Sequence, residues 1–204
     1  MFWIAQPKAA SSSLGETMAE ILNVKVLNAL VTEPKIFCEG FPEIQKWHNS
    51  MVPRTMEFLQ KMYDDKTIMY KEHILPTEEH LNIVRTFGKP LMILLRNPAD
   101  TFDAYIRFNE TACVKRYGKK VVDLNQIEND VQLFYWNYKT LEQKKYDHLL
   151  FIYYKDLMLN FTETLKKIFD HYGWELPENY KEIELKKIKY TGVGIERLKN
   201  EYIG

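Results

Sequence analysis

Along the chain, short apolar runs alternate with longer segments in which apolar residues return every three or four positions. Unbroken or alternating apolar runs of four to eight residues suit strands, and a return near 3.6 suits amphipathic helices. Strands are predicted over 2–5 (FWIA), 36–38 (IFC), 67–74 (TIMYKEHI), 90–95 (PLMILL) and 149–153 (LLFIY). The fourth is apolar almost throughout, as a strand covered on both faces requires. Helices are predicted over 12–30, 53–63, 77–86, 98–116, 123–145 and 156–172. A serine cluster precedes the first, Thr77-Glu78-Glu79 opens the third after Pro76, Asn97-Pro98 opens the fourth, and Gly173 closes the last. The fifth has its period through Ile127, Val131, Phe134, Tyr135, Tyr138 and Leu141. The alternation predicts an α/β fold, a central mostly parallel β-sheet flanked by helices, in a single domain over 1–204. From residue 178 the chain is rich in Lys and Glu, and no definite element is predicted.

Composition narrows the function classes. The 204 residues, 46% of them hydrophobic, suffice to bury a core without covalent staples. Lys and Arg number 28 and Asp and Glu 28, which argues against a protein that coats nucleic acid but leaves room for a local basic pocket. Cys38 and Cys113 match no metal spacing and read as buried free thiols in a reducing compartment. The apolar opening Phe2-Trp3-Ile4-Ala5 lacks the basic flank and length of a signal peptide, and no apolar run approaches the roughly 20 residues of a membrane span. A soluble, cytoplasmic protein with no nucleic-acid partner is expected.

Candidate chemistry lies where predicted strands run into helices. The first junction is Gln6-Pro7-Lys8-Ala9-Ala10-Ser11-Ser12-Ser13. A tight turn of small residues feeding a helix N-terminus gathers backbone N–H groups and the positive end of a helix dipole, which suits an anion, and Lys8 adds charge. From this stretch alone, serines that merely cap a helix are an equal reading. It is not a Walker A loop, because the Lys precedes the small residues instead of ending the loop. At the second junction Arg96-Asn97-Pro98 follows an apolar strand, placing a guanidinium whose planar fork suits phosphate at a strand's carboxyl end. At the third, Lys71 and His73 alternate along one strand and so share a face, just before Leu75-Pro76. Tyr153-Tyr154-Lys155-Asp156-Leu157 ends the last strand, and Lys189-Tyr190-Thr191-Gly192-Val193-Gly194-Ile195-Glu196-Arg197 is a late basic loop.

Taken in order, these segments resemble the sulfotransferases that use 3′-phosphoadenosine 5′-phosphosulfate (PAPS), a family with a P-loop-NTPase-like three-layer architecture. Pro7-Lys8-Ala9-Ala10-Ser11-Ser12 is similar to the family's 5′-phosphosulfate loop, with Ala10 where Gly is usual. Arg96-Asn97-Pro98 is similar to its 3′-phosphate motif, and Lys71-Glu72-His73-Ile74-Leu75-Pro76 to its Lys-Thr-His-Leu-Pro segment. The resemblance implies that His73 is the base, with Lys71 reaching the same pocket, and that Lys8 stabilises the leaving phosphate. It further implies that Ala9, Ala10, Ser11, Ser12 and Ser13 hold the 5′-phosphate, that Arg96 anchors the 3′-phosphate, and that Tyr154 lies beside the adenine. Lys189, Gly192, Gly194 and Arg197 match the late segment that covers the 3′-phosphate. The family's helix serine is replaced by Ala104, and Thr101, three residues earlier on the same helix face, is the expected substitute.

The implied reaction moves a sulfuryl group from PAPS to a hydroxyl of a small molecule or carbohydrate, leaving adenosine 3′,5′-bisphosphate (PAP), with no metal expected. Two alternatives stand beside it: a P-loop nucleotide or small-molecule kinase with an altered loop, and a non-catalytic sulfotransferase-like nucleotide-binding protein. Trp47, Tyr70, Phe108, Tyr135, Trp136 and Tyr138 are candidates for an acceptor pocket, although at helical spacing aromatics more often form core.

Overall fold

The computed structural model describes residues 1–28, 55–120 and 122–186. The expected strand 36–38, Cys38, Trp47, the start of the helix expected at 53, and Lys189, Gly192, Gly194 and Arg197 lie outside the described residues.

In chain order the elements are β1 (Phe2–Ala5), α1 (Ser11–Leu22), β2 (Lys25–Asn28), α2 (Met56–Asp64), β3 (Ile68–Glu72), α3 (Glu78–Thr86), β4 (Leu91–Leu95) and α4 (Pro98–Phe108). A π-helical turn, Asn109–Cys113, leads into α5 (Val114–Tyr117), followed by α6 (Leu124–Gln143), β5 (Leu149–Tyr153), α7 (Tyr154–Leu159) and α8 (Phe161–Tyr172). The sheet has the order β2-β3-β1-β4-β5, and each neighbouring pair is parallel. After β1 the chain builds one half of the sheet, then crosses over β1 to build the other. The carboxyl ends of β1, β3 and β4 therefore open together at the reversal, where open α/β sheets bind ligands.

Alternation along the strands splits the core into two sides. Phe2 and Ile4 of β1 and Leu91, Ile93 and Leu95 of β4 pack with Leu59 and Met62 of α2, Leu81 and Val84 of α3, and Phe134, Tyr138 and Leu141 of α6. Trp3, Ala5, Met69, Met92 and Leu94 face Leu14 and Met18 of α1 and Leu165, Ile168 and Phe169 of α8. The sheet is thus flanked by helices on both faces, as the alternating pattern predicted, with all of β4 buried. From α8, the Tyr172 hydroxyl donates to the Phe2 carbonyl at 2.9 Å and accepts from the Met92 N–H at 2.9 Å, tying β1 to β4.

The strand expected over 67–74 spans Ile68–Glu72, so His73 lies just past its end, and three helices differ from the sequence reading, each for a local reason. The helix expected over 12–30 stops at Leu22, because Asn23 takes a left-handed conformation (φ 51°) and Val24 N–H bonds back to the Ala19 carbonyl at 2.9 Å. That is a Schellman-type ending, which asparagine can supply in place of glycine, and it frees Lys25–Asn28 to form the edge strand β2. The helix expected over 98–116 passes through the π turn, where the Asn109 side chain donates to the Val122 carbonyl at 3.2 Å and accepts from its N–H at 3.0 Å. The helix expected over 156–172 starts at Tyr154 and is broken at Asn160, whose φ of −133° is not helical.

Candidate active site

The loop after β1 is fixed by Gln6. Its backbone N–H extends the ladder to Leu94 O at 2.8 Å, its side-chain oxygen accepts from the Arg96 N–H at 2.8 Å, and its amide nitrogen donates to Thr101 Oγ1 at 3.3 Å. One fully buried side chain thus binds the ends of β1 and β4 and the start of α4 together. Nothing in a lone glutamine after a strand signals this, since its partners lie some ninety residues on.

Beyond Gln6 the backbone is unusual. Lys8 and Ala10 both take left-handed conformations, with φ of 65° and 61°. For residues bearing a Cβ this costs on the order of 1 kcal/mol each. The result is a curled loop entering α1 with no side-chain cap, so the serines at 11–13 do not simply cap the helix. Ser11 and Ser13 are buried and Ser12 is exposed.

Cationic side chains from neighbouring strand ends meet this loop. From β3, Lys71 donates to Ser12 Oγ at 2.6 Å. From the end of β4, Arg96 donates from Nη1 to the Lys8 carbonyl at 2.8 Å, and its guanidinium lies 4.0 Å from the centre of the Tyr154 ring, which follows β5. The Lys8 ammonium sits 3.3 Å from the centre of the Phe108 ring and 5.3 Å from that of Tyr105, a cation–π arrangement. Burial pushes the Lys8 amine down from its ordinary 10.5 to about 8, and does the same to Lys71. An ammonium in a low-dielectric site is held less firmly, and an anion arriving beside it restores its charge.

His73, just past β3, places Nδ1 at 2.6 Å from the Ala5 carbonyl oxygen. A carbonyl only accepts, so Nδ1 carries the proton and Nε2 is the basic nitrogen of the neutral ring. Lys8, Ser12, Lys71, His73, Arg96 and Tyr154 are therefore gathered around the ends of β1, β3, β4 and β5. Thr101 is not among them: it is fully buried, and its hydroxyl bridges Gln6 Nε2 and the Arg96 carbonyl at 3.5 Å. It braces Arg96 from behind instead of standing in for a serine at 104. Ala104 lies half-buried on α4.

Of the aromatics proposed for an acceptor pocket, Tyr138 is core, its hydroxyl donating to the Ile74 carbonyl at 3.0 Å. Trp136 is exposed, Tyr70 donates to Asp65 at 3.0 Å, and Phe108 lies beneath Lys8. Tyr105 and Phe108, three residues apart on one face of α4, form the aromatic bed of Lys8, and nothing in their spacing sets them apart from core aromatics.

No protein-family model and no curated protein matches the sequence, but solved structures match the architecture. A sulfotransferase domain from the curacin biosynthetic pathway aligns with a TM-score of 0.55 at 13% identity, covering 97% of this chain and 81% of that one. A mouse sulfotransferase in complex with PAP gives 0.54 at 18% identity, covering 88% of this chain and 60% of the mouse chain. The sulfotransferase domain of a Synechococcus olefin synthase gives 0.52 at 13%, over 95% and 78%. The chain has the sulfotransferase fold. Within that fold the curled loop after β1, the Lys71–His73 strand end and Arg96 occupy one rim of the sheet, and this chain spans less than two thirds of the mouse sulfotransferase. Among the described residues no helix is long and apolar enough to cross a membrane.

Proposed function

We propose that the protein transfers a sulfuryl group from PAPS to a hydroxyl of a small molecule or carbohydrate. The observation that carries this reading is the meeting of Lys71 with Ser12 at the mouth of the curled loop, with His73 two residues further on, just past the strand end. Lysines and a base brought to an uncapped helix N-terminus suit group transfer between a bound anion and a neutral nucleophile. Three features support the donor: two left-handed residues shape the loop, Arg96 lies behind it, and the Tyr154 ring packs against the Arg96 guanidinium.

In the proposed reaction His73 Nε2 takes the proton of the acceptor hydroxyl as its oxygen forms a bond to sulfur. The bond between sulfur and the bridging oxygen breaks, and its electron pair goes to the 5′-phosphate of PAP. Lys8 and Lys71 offset the charge that builds on that oxygen, and the amides of Ser11, Ser12 and Ser13 hold the phosphate. Arg96 and Tyr154 take the 3′-phosphate and the adenine. Charge is met where it develops, by groups oriented beforehand, which is where electrostatic stabilisation contributes most.

Thermal shift measures this directly. PAP is expected to raise the melting temperature by several degrees and ATP with magnesium by much less, whereas equal stabilisation by the two points to a kinase. Sulfate transfer from labelled PAPS across a panel of hydroxyl acceptors then separates an enzyme from a protein that only binds the nucleotide.

A further inference from the structure

Strand β5 is one edge of the sheet, and among the described residues no strand lies on its outer side. The Leu91 N–H donates to the His148 carbonyl at 2.8 Å. By the alternation of a parallel ladder, Leu150 and Ile152 then turn their backbone groups toward β4, while Leu149, Phe151 and Tyr153 turn theirs outward. Some of these outward groups are already used. The Leu149 N–H donates to the Tyr146 carbonyl at 3.0 Å, and Tyr153, which precedes α7, gives its carbonyl to the first helical turn. The Leu149 carbonyl, both backbone groups of Phe151 and the Tyr153 N–H remain, donors and acceptors in equal number. Monomeric proteins usually guard such an edge with a lysine, a proline or a bulge. Instead β5 reads Leu149-Leu150-Phe151-Ile152-Tyr153, with every residue but Ile152 partly exposed. On its α6 side lies an open groove of about 320 Å³ lined by Glu142, Lys145, Tyr146, Asp147, Leu149 and Phe151.

We propose that β5 pairs antiparallel with β5 of a second copy of this chain, about a two-fold axis at Phe151, so that one sheet runs through a dimer. In this register the two Phe151 residues exchange both backbone bonds, and each Tyr153 N–H meets the Leu149 carbonyl of the partner subunit. Every remaining outward group is then used. The charges at the strand ends select the same arrangement. Lys145 and Asp147 precede β5, Lys155 and Asp156 follow it, and all four are exposed. An antiparallel mate brings Asp147 toward Lys155 of the partner subunit and Lys145 toward Asp156 of the partner subunit, and symmetry repeats both contacts. A parallel mate sets like charges side by side. The edge is therefore complementary to itself, in backbone and in charge, which is what a two-fold interface requires.

Sedimentation of the full chain over about 1 to 200 μM is expected to show the mass rising from 24.4 kDa toward twice that value. Amide hydrogen exchange at Phe151 and Tyr153, read by NMR on the same samples, should slow as the dimer forms. Asp147→Lys or Lys155→Asp alone should weaken association about tenfold, because each reversal acts at two symmetric contacts. The double variant should regain most of the loss. Both positions are exposed, and an unchanged melting temperature of the monomer confirms that the variants fold. A single monomer mass at every concentration overturns the proposal. So does exchange at Phe151 and Tyr153 that is already slow in the monomer, which would mean that the chain's own residues cover the edge. Association untouched by the single reversals, or a double variant no tighter than either one, overturns it as well.

Discussion

His73 donates its Nδ1 proton to the carbonyl of Ala5, the last residue of the central strand, at 2.6 Å. The contact fixes both the tautomer and the direction of the ring, so Nε2 is aimed by the sheet itself. His73→Ala is expected to lower the rate of sulfate transfer by about 10²- to 10⁴-fold, the usual contribution of a positioned base. PAP affinity should change less than about threefold by calorimetry, since in the proposed reaction the imidazole meets the acceptor and not the nucleotide. Transfer that survives the substitution removes His73 from this role.

Lys8 and Lys71 supply a pH dependence with a definite sign. Burial lowers both amines to about 8 from an ordinary 10.5. Between these values the unfolded chain binds more protons than the folded one, so this pair makes the protein more stable as pH rises from about 8 toward 10.5. Below 8 both lysines are charged in either state and their burial penalty is fully present. A Lys8→Met, Lys71→Met double variant should therefore show a flatter rise, or a steeper fall, of melting temperature between pH 8 and 9.5 than the parent. The thermal shift given by PAP should decline over the same interval, because the nucleotide then has to bring protons with it.

Phe108 holds the Lys8 ammonium away from water. Phe108→Ala removes the face beneath the cation, worth roughly 0.5 to 2 kcal/mol, and admits solvent. The Lys8 amine should move back toward 10.5, read by the pH dependence of PAP binding, and the rate of transfer should fall because a solvated lysine is a weaker electrostatic partner.

Two further substitutions separate bracing of the site from bracing of the fold. Gln6→Leu leaves the Arg96 N–H and the Thr101 hydroxyl without their buried partner. It should cost about 1 to 3 kcal/mol of stability and also weaken PAP binding, since the Arg96 backbone loses its anchor. Tyr172→Phe strips the bridge between Phe2 O and Met92 N at the opposite end of the strands. A similar cost of about 1 to 3 kcal/mol is expected, a drop of roughly 2 to 4 °C per kcal/mol in a chain of this length, with PAP affinity intact. Chemical denaturation and calorimetry on both variants check the contrast.

The parts of the fold legible in the sequence are those set by local pattern. The apolar run of β4, the capped start of α3 at Thr77 and the glycine stop after α8 follow from periodicity and turn chemistry within a dozen residues. Strand β2 was hidden because the helix pattern of α1 runs into it without a glycine or proline, and only the left-handed Asn23 separates them. In the candidate site, the loop at Lys8, the Lys71–His73 pair and Arg96 announce themselves by position at strand ends. Gln6, the aromatic bed of Lys8 and the bracing role of Thr101 depend on contacts between residues some ninety to a hundred positions apart, which no window of sequence contains.

The left-handed Lys8 and Ala10 carry a consequence for how the site meets its ligand. A glycine at either position samples many shapes, and each must be given up when an anion settles into the loop. Here the curl is already present, its strain offset within the folded protein by Gln6 and Arg96, so association orders little backbone and more of the contact energy appears as affinity. If the loop holds phosphate as proposed, an anion larger or flatter than a tetrahedral phosphate is expected to fit the curl less well.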